Sequence, residues 1–336
     1  VGGAGNKTVT KLMKMGTTNT ECIAINTNAQ QLKAAKAHKK ILIGEKLTGG
    51  SGVRGDPKLG RAAAEEDRKR IEELVSNGDL VFITAGLGGG TGTGAAPAVA
   101  EIAKKKGAIA VGVVTTPFEN EKERIERANK ALSEMESQCD TVLVVDDDKL
   151  SQLVPQLPIK EAFKAADQIL ANMIRGIIET VSSPSLTSLD FADLKTIVKR
   201  GNVAIVGVGK SEAPSRAEED VQNALKSPLP NVDYVGVKGS LVHVAGDGQM
   251  TSEEVNRVGE IVTEMTGNDA LVIWGQGLSQ NQEEKLKVML VMTGANRQNA
   301  QNSLGATAPQ LFDIDPHAET ETPLNIKLNL YQMENF

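Results

Sequence analysis

Aromatic side chains are scarce in this 336-residue chain, with one Trp, two Tyr and six Phe. A nucleic-acid surface built on stacking would interleave such rings with a basic strip, and no such strip occurs in a chain of net charge −6. Nucleic acid is therefore not an expected partner. Cysteine is almost missing as well: Cys22 and Cys139 stand alone, which argues against a disulfide framework. His38, His243 and His317 show no ligand spacing, so a zinc site is not expected and no side-chain metal ligand is assigned. Long apolar runs are absent too. None approaches the roughly 18 to 20 residues that cross a bilayer, and the chain does not open on a basic-then-apolar segment. A cytoplasmic protein without direct membrane insertion is expected.

What the chain does have is glycine, 33 residues of it. The densest run is LGGGTGTGAAP at 87 to 97, which follows a buried-strand pattern (VFITAG) and leads into helical spacing at Ala95, Val99, Ile102 and Ala103. Gly88, Gly89, Gly90, Gly92 and Gly94 form a strand-to-helix loop that exposes main-chain N–H groups, with hydroxyls from Thr91 and Thr93. Such a loop at a helix N-terminus favours an anion, because unpaired N–H groups and the helix dipole both point at it.

The length predicts two domains plus a tail. In the first half, strand patterns at 22–26, 80–85, 108–115 and 141–145 alternate with helical patterns at 59–76, 93–106 and 121–138. That is the pattern of an α/β, doubly wound, mostly parallel sheet whose ligand sits at the carboxyl ends of the strands. Val1 runs straight into the turn GGAGN, and an additional first strand is expected ahead of it. Residues 159–182 carry an apolar stripe (Phe163, Ala166, Ile169, Leu170, Met173, Ile174, Ile177, Ile178) and read as a central connecting helix. Strand patterns at 202–208, 239–246, 269–275 and 287–294, with helices near 216–226 and 251–265, predict a smaller mixed-sheet α/β domain. The expected division is 1–158, 159–200, 201–296, and a flexible linker with a terminal peptide at 297–336.

Four loops converge on the predicted ligand edge: Gly2, Gly3, Ala4, Gly5 and Asn6; Asn26, Thr27 and Asn28; residues 49–57; and the run at 88–94. None satisfies the Walker A pattern, since GNKT at 5–8 and GVGKS at 207–211 are near misses. Dinucleotide binding is disfavoured because the final glycine of the run comes two residues on where three are required. A second constellation is SLDFADL, with Asp190 and Asp193 at an expected helix start. Ordinary helix capping explains that spacing. A functional reading has both carboxylates facing a water or metal; they would then lie across the domain from the glycine loop and need a partner from a second copy.

These segments resemble the tubulin and FtsZ superfamily, and within it the prokaryotic FtsZ group of cell-division GTPases. GGGTGTG at 88–94 is similar to its phosphate-loop motif, and GGAGN, NTNAQ, GDPKLGRAAAEED, VVTTPF, AFKAAD, LDFADL and RAEEDVQNALKSPL follow in the same order to about residue 297. The resemblance implies GTP or GDP with Mg²⁺. Gly2, Gly3, Ala4, Gly5 and Asn6 would surround the inner phosphates, with Asn26 nearby. Gly88, Gly89, Gly90, Thr91, Gly92 and Thr93 would form the phosphate loop, and Gly52, Val53 and Gly55 would lie near the γ-phosphate. Glu121 and Arg124 would contact ribose, Phe163 would stack on guanine, and Asp167 would read its N1–H and 2-amino groups. Asp190 and Asp193 would act on the GTP of the neighbouring subunit in a head-to-tail protofilament.

The implied role is a filament-forming GTPase at the division site, with PLNIKLNLYQMENF as a candidate docking peptide for a membrane tether. The alternatives are a GTP-binding filament protein of weak hydrolysis with a shape or positioning role and, far less favoured, a dinucleotide-dependent oxidoreductase. Four residues depart from the resemblance: Ser188 and Asp147 where Asn is usual, Asn28 where Asp is usual, and Arg54 where a small residue is usual. The segment PFENEKER is also about one residue short.

Overall fold

The computed structural model describes residues 1–16, 20–118, 120–146, 159–182, 189–201, 203–210, 216–225, 236–267, 269–278 and 286–294; side chains at 159–163, 165–166, 182, 210, 216, 225 and 278 are also outside the description. The elements run α1 (Gly2–Met15), β1 (Ile23–Asn26), α2 (Ala29–Ala34), β2 (Lys39–Leu42), α3 (Glu45–Thr48), α4 (Pro57–Glu66), α5 (Arg68–Val75), β3 (Leu80–Gly86), α6 (Thr91–Lys105), β4 (Ile109–Thr116), α7 (Lys122–Gln138) and β5 (Thr141–Asp146). The central helix α8 (Ile159–Ser182) follows, then α9 (Phe191–Val198), β6 (Val203–Lys210), α10 (Arg216–Leu225), β7 (Gly239–Gly246), α11 (Ser252–Thr266), β8 (Leu271–Leu278) and β9 (Leu286–Thr293).

Seven strands form one sheet in the order β3-β4-β5-β6-β9-β7-β8. Strands β3 to β6 are parallel, whereas β9 runs antiparallel to both β6 and β7. The expected mixed sheet of the second half is present, and it continues the first through a short junction, Val142 opposite Val203 and Leu143 opposite Ala204. The inner strands β4 and β5 are almost continuous Val, Ala, Ile and Leu because helices cover both faces. On one face, Val9 and Leu12 of α1, Leu170 to Ile177 of α8, and Leu194 to Val198 of α9 pack over the strands as a single core. The other face carries α4 to α7 over the first half and α10 with α11 over the second.

Three details depart from the sequence reading. The strand at 22–26 is not hydrogen-bonded into the main sheet; β1 pairs only with β2, a strand the pattern missed because KKIL is short and exposes both lysines. The helix expected at 59–76 is two, divided at Asp67, whose carboxylate accepts from Gly44 N–H (2.8 Å) and from Arg70 (2.7 Å). GGAGN is no turn ahead of a helix: it is the first turn of α1 itself. Because α1 packs on both β1 and β3, it bridges the small sheet to the large one.

Candidate functional site

Two helices start side by side at the carboxyl end of β3. Gly2 has φ +72°, and a Cβ there would stand 2.8 Å from Gly92 N, so the first turns of α1 and α6 touch backbone to backbone. Neither start has a side-chain cap, and neither first turn contains an acid. Two uncapped, convergent helix N-termini concentrate positive potential and unpaired donors, which is the physical requirement for holding phosphate.

The glycines around this cradle act mostly by letting elements approach. A Cβ on Gly90 would meet Val53 Cγ2 at 2.5 Å and Asp56 N at 2.9 Å, one on Gly92 would meet Gly86 O at 2.7 Å, and one on Gly94 would run into the carbonyl oxygen of Pro57. Residue 89 is different, because nothing lies within 4 Å of a Cβ built there. Gly89 and the exposed Ala4 are therefore the points where the cradle opens outward. Thr91 and Thr93 belong to the first turn of α6 and not to a loop. The Thr91 hydroxyl contacts that of the buried Thr27 (2.7 Å), and the Thr93 hydroxyl is buried without a hydrogen-bond partner.

Asn6 and Asn26 are both buried. With the Asn6 amide oriented to suit its neighbours, it donates to the carbonyl oxygens of Ile25 (3.3 Å) and Gly2 (3.2 Å) and accepts from Asn26 Nδ2 (3.2 Å). Asn26 also donates to Gln31 Oε1 (3.3 Å), and that oxygen would lie 3.0 Å from a Cβ on Gly3. These amides fix α1 against β1 and α2. Gly52, Val53 and Gly55 form the outer wall, tied down by Gly52 N–H to Thr27 O (3.1 Å) and by Arg127 to Gly55 O (2.7 Å). Arg124 pairs with Glu121, and its carbonyl oxygen would lie 2.9 Å from a Cβ on Gly88, so this pair borders the phosphate loop.

Further along α1, Asp167 of α8 lies against Lys7, Thr8 and Lys11. Desolvation pushes its carboxyl up to about 6, against the pull of Lys7, Lys11 and the Thr8 hydrogen bond. Phe163 lies one helical turn earlier on α8, and its side chain is outside the described residues. Thr27, named above in one of the four loops without a role, and Gln31, not singled out in the sequence, both brace the cradle; NTNAQ beside a strand end is the signal for them.

Asp190 and Asp193 are elsewhere. Asp190 caps α9, accepting from Asp193 N–H (2.9 Å), while Asp193 accepts from Asp190 N–H (3.0 Å). The capping reading of this pair is thus correct, and each carboxylate uses one oxygen for it. Helix α9 packs on β7, β8 and β9. Four or more strand spacings separate those from β3, so at about 4.8 Å per strand the acids stand roughly 20 Å from the cradle.

Comparison with known proteins agrees with this geometry. The family model for the GTPase domain of the Tubulin/FtsZ family matches residues 1–155, and that for the FtsZ family C-terminal domain matches residues 202–296. A curated relative, cell division protein FtsZ 2 of Methanocaldococcus jannaschii, is 47% identical over 89% of this chain and 79% of its own. The chain belongs to the Tubulin/FtsZ family. Among solved structures, the empty FtsZ dimer of M. jannaschii is 46% identical, with a TM-score of 0.81 over 87% of this chain and 86% of that one. CetZ2 of Haloferax volcanii, solved as a GTPγS-bound protofilament, shares the fold at 22% identity, with a TM-score of 0.76 over 90% and 94% of the two chains. The FtsZ-type cradle is thus part of a GTPase domain, and the chain is a GTPase of a filament-forming cytoskeletal family.

Proposed function

We propose that this chain works in cell division as a head-to-tail filament, hydrolysing GTP at a site completed by the next copy. The observation that carries the reading is the separation just described: an anion cradle at one end of the sheet, and a pair of acids at the other that cannot reach it within one chain. Each acid keeps an oxygen free of the capping box, so the pair could orient a water while still starting its helix. That water attacks the γ-phosphorus, the bond to the β–γ bridging oxygen breaks, and GDP and phosphate leave. Among the described residues no three His, Cys, Asp or Glu side chains cluster as metal ligands. The proposed Mg²⁺ would be held chiefly by phosphate oxygens and water, where it would neutralise charge.

Base recognition falls to α8. Thr8 lies six residues along α1 from Gly2, about 9 Å at 1.5 Å per residue, which suits a ribose and base reaching from the cradle to Asp167. An ionised Asp167 accepts from both guanine donors, whereas adenine would present an acceptor to it. Self-association has a surface to use: Leu47 and Leu59, two of the exposed large apolar side chains, lie on α3 and α4 beside the cradle. The terminal peptide, outside the described residues, is the proposed docking point for a membrane tether at the division site.

GTP turnover measured against protein concentration tests this. Phosphate release per subunit should be negligible when dilute and rise sharply above a critical concentration, in step with light scattering. Turnover proportional to concentration throughout would place a complete site in one chain and remove the shared-site reading. Assembly without phosphate release would favour the weakly hydrolysing alternative.

A further inference from the structure

Arg54 has φ +47°, the only non-glycine residue with positive φ among the described residues. That region disfavours any residue with a Cβ, so its neighbours must hold it there. They do: Gly52 N–H donates to Thr27 O (3.1 Å), Asp56 N–H to Val53 O (2.9 Å), and the Arg127 guanidinium to Gly55 O (2.7 Å). Val53, immediately before it, is buried and fills the space where a Gly90 Cβ would stand, which puts Arg54 at the rim of the cradle. Its own side chain is exposed, and among the described residues no carboxylate pairs with it. The nearest acid in sequence, Asp56, has its Oδ1 engaged by Lys58 N–H (2.8 Å) as the cap of α4.

A forked cation at the mouth of a cradle whose two helix starts carry no acid in their first turns has an evident complement in the terminal phosphate oxygens of a nucleoside triphosphate. We propose that Arg54 is a specificity residue that binds the γ-phosphate and makes this chain prefer GTP to GDP. The proposal rests on the GTP reading of the cradle. A diphosphate lacks the group Arg54 would hold, so the residue contributes to one nucleotide and not to the other.

GTP and GDP affinities of the full chain, measured by competition against a fluorescent GDP at protein concentrations too low for assembly, test this. Arg54→Gln should weaken GTP by about tenfold, the scale of one charge-assisted contact, and GDP by less than about twofold. Arg54→Lys should recover part of the GTP affinity. Arg54→Gly separates backbone from charge: it should raise the thermal midpoint by relieving the left-handed residue, yet lose GTP preference as Arg54→Gln does. A GTP to GDP ratio unchanged in Arg54→Gln overturns the proposal while leaving the cradle intact. Wild-type protein that binds neither nucleotide overturns the cradle reading and this proposal together.

Discussion

The helix starts at the two ends of this molecule are built in opposite ways. At the cradle, α1 and α6 begin on Val1 and Gly90 with no side-chain cap and no acid in the first turn. At the far side, α9 and α11 each begin with a complete capping box, Asp190 with Asp193 and Thr251 with Glu254. Even beside the cradle, α2 and α4 are capped by Asn28 and Asp56. Helices α3, α5 and α7 also start without a side-chain cap, so what sets α1 and α6 apart is that their bare starts meet backbone to backbone. On the proposed reading the nucleotide would complete their orphan donors, so part of the fold's own hydrogen bonding would come from the ligand.

The largest effect should come from closing the approach that keeps the bare starts together. Gly94→Ala places a methyl against the Pro57 carbonyl and should cost about 3 kcal/mol or more in chemical denaturation. Gly89→Ala meets nothing in the protein, so stability should stay within about 0.5 kcal/mol while GTP affinity falls. Equal stability losses in the two variants would show that the opening at Gly89 has been misplaced.

Next in size is the contrast between the two boxes. Asp193→Ala should lose about 1 kcal/mol of cap stability and also lower GTP turnover by about a hundredfold, with nucleotide affinity retained. Glu254→Ala should lose a similar cap and leave turnover unchanged. Identical turnover in both variants would reduce Asp190 and Asp193 to capping alone.

The smallest effect is set by pH. The Asp167 carboxyl titrates near 6 in the nucleotide-free fold, above its ordinary value of 3.8, because burial disfavours its charge. Between those values the folded state holds more protons than the unfolded one. This group's contribution to stability is thus fully present below about 3.8 and lost as pH rises through about 6. Against Asp167→Asn, the thermal midpoint of the nucleotide-free wild type should fall across that window. Guanine recognition runs the other way, since it needs the ionised form: GTP affinity should drop as pH is lowered below about 6, and a flat profile would remove Asp167 from base recognition.

Much of this was legible in the sequence. The buried runs at 80–85, 108–115 and 141–145 gave their strands because parallel strands covered on both faces are apolar without interruption. The GGGTGTG run reads in sequence as an opening for a ligand, and the structure adds a packing role, since Gly90, Gly92 and Gly94 also admit Val53, Gly86 and Pro57, which lie close only after folding. Strand β2 escaped because KKIL carries no alternation, and Gln31 because its reach to Gly3 crosses two elements. The box at Asp190 and Asp193 was legible as a cap, and its functional reading already placed it across the domain from the cradle; the size of that separation follows only from the strand order.

That distance has an arithmetic consequence for an assembly with a shared site. A row of n copies contains n − 1 junctions, so one cradle always faces solvent with no acids opposite it. Average turnover per copy then scales as (n − 1)/n, zero for a single copy, one half for a pair and almost constant for long rows. On that reading the copy at the open end would be the last to lose its triphosphate, and the order of strands in one sheet would decide which end of the row keeps it.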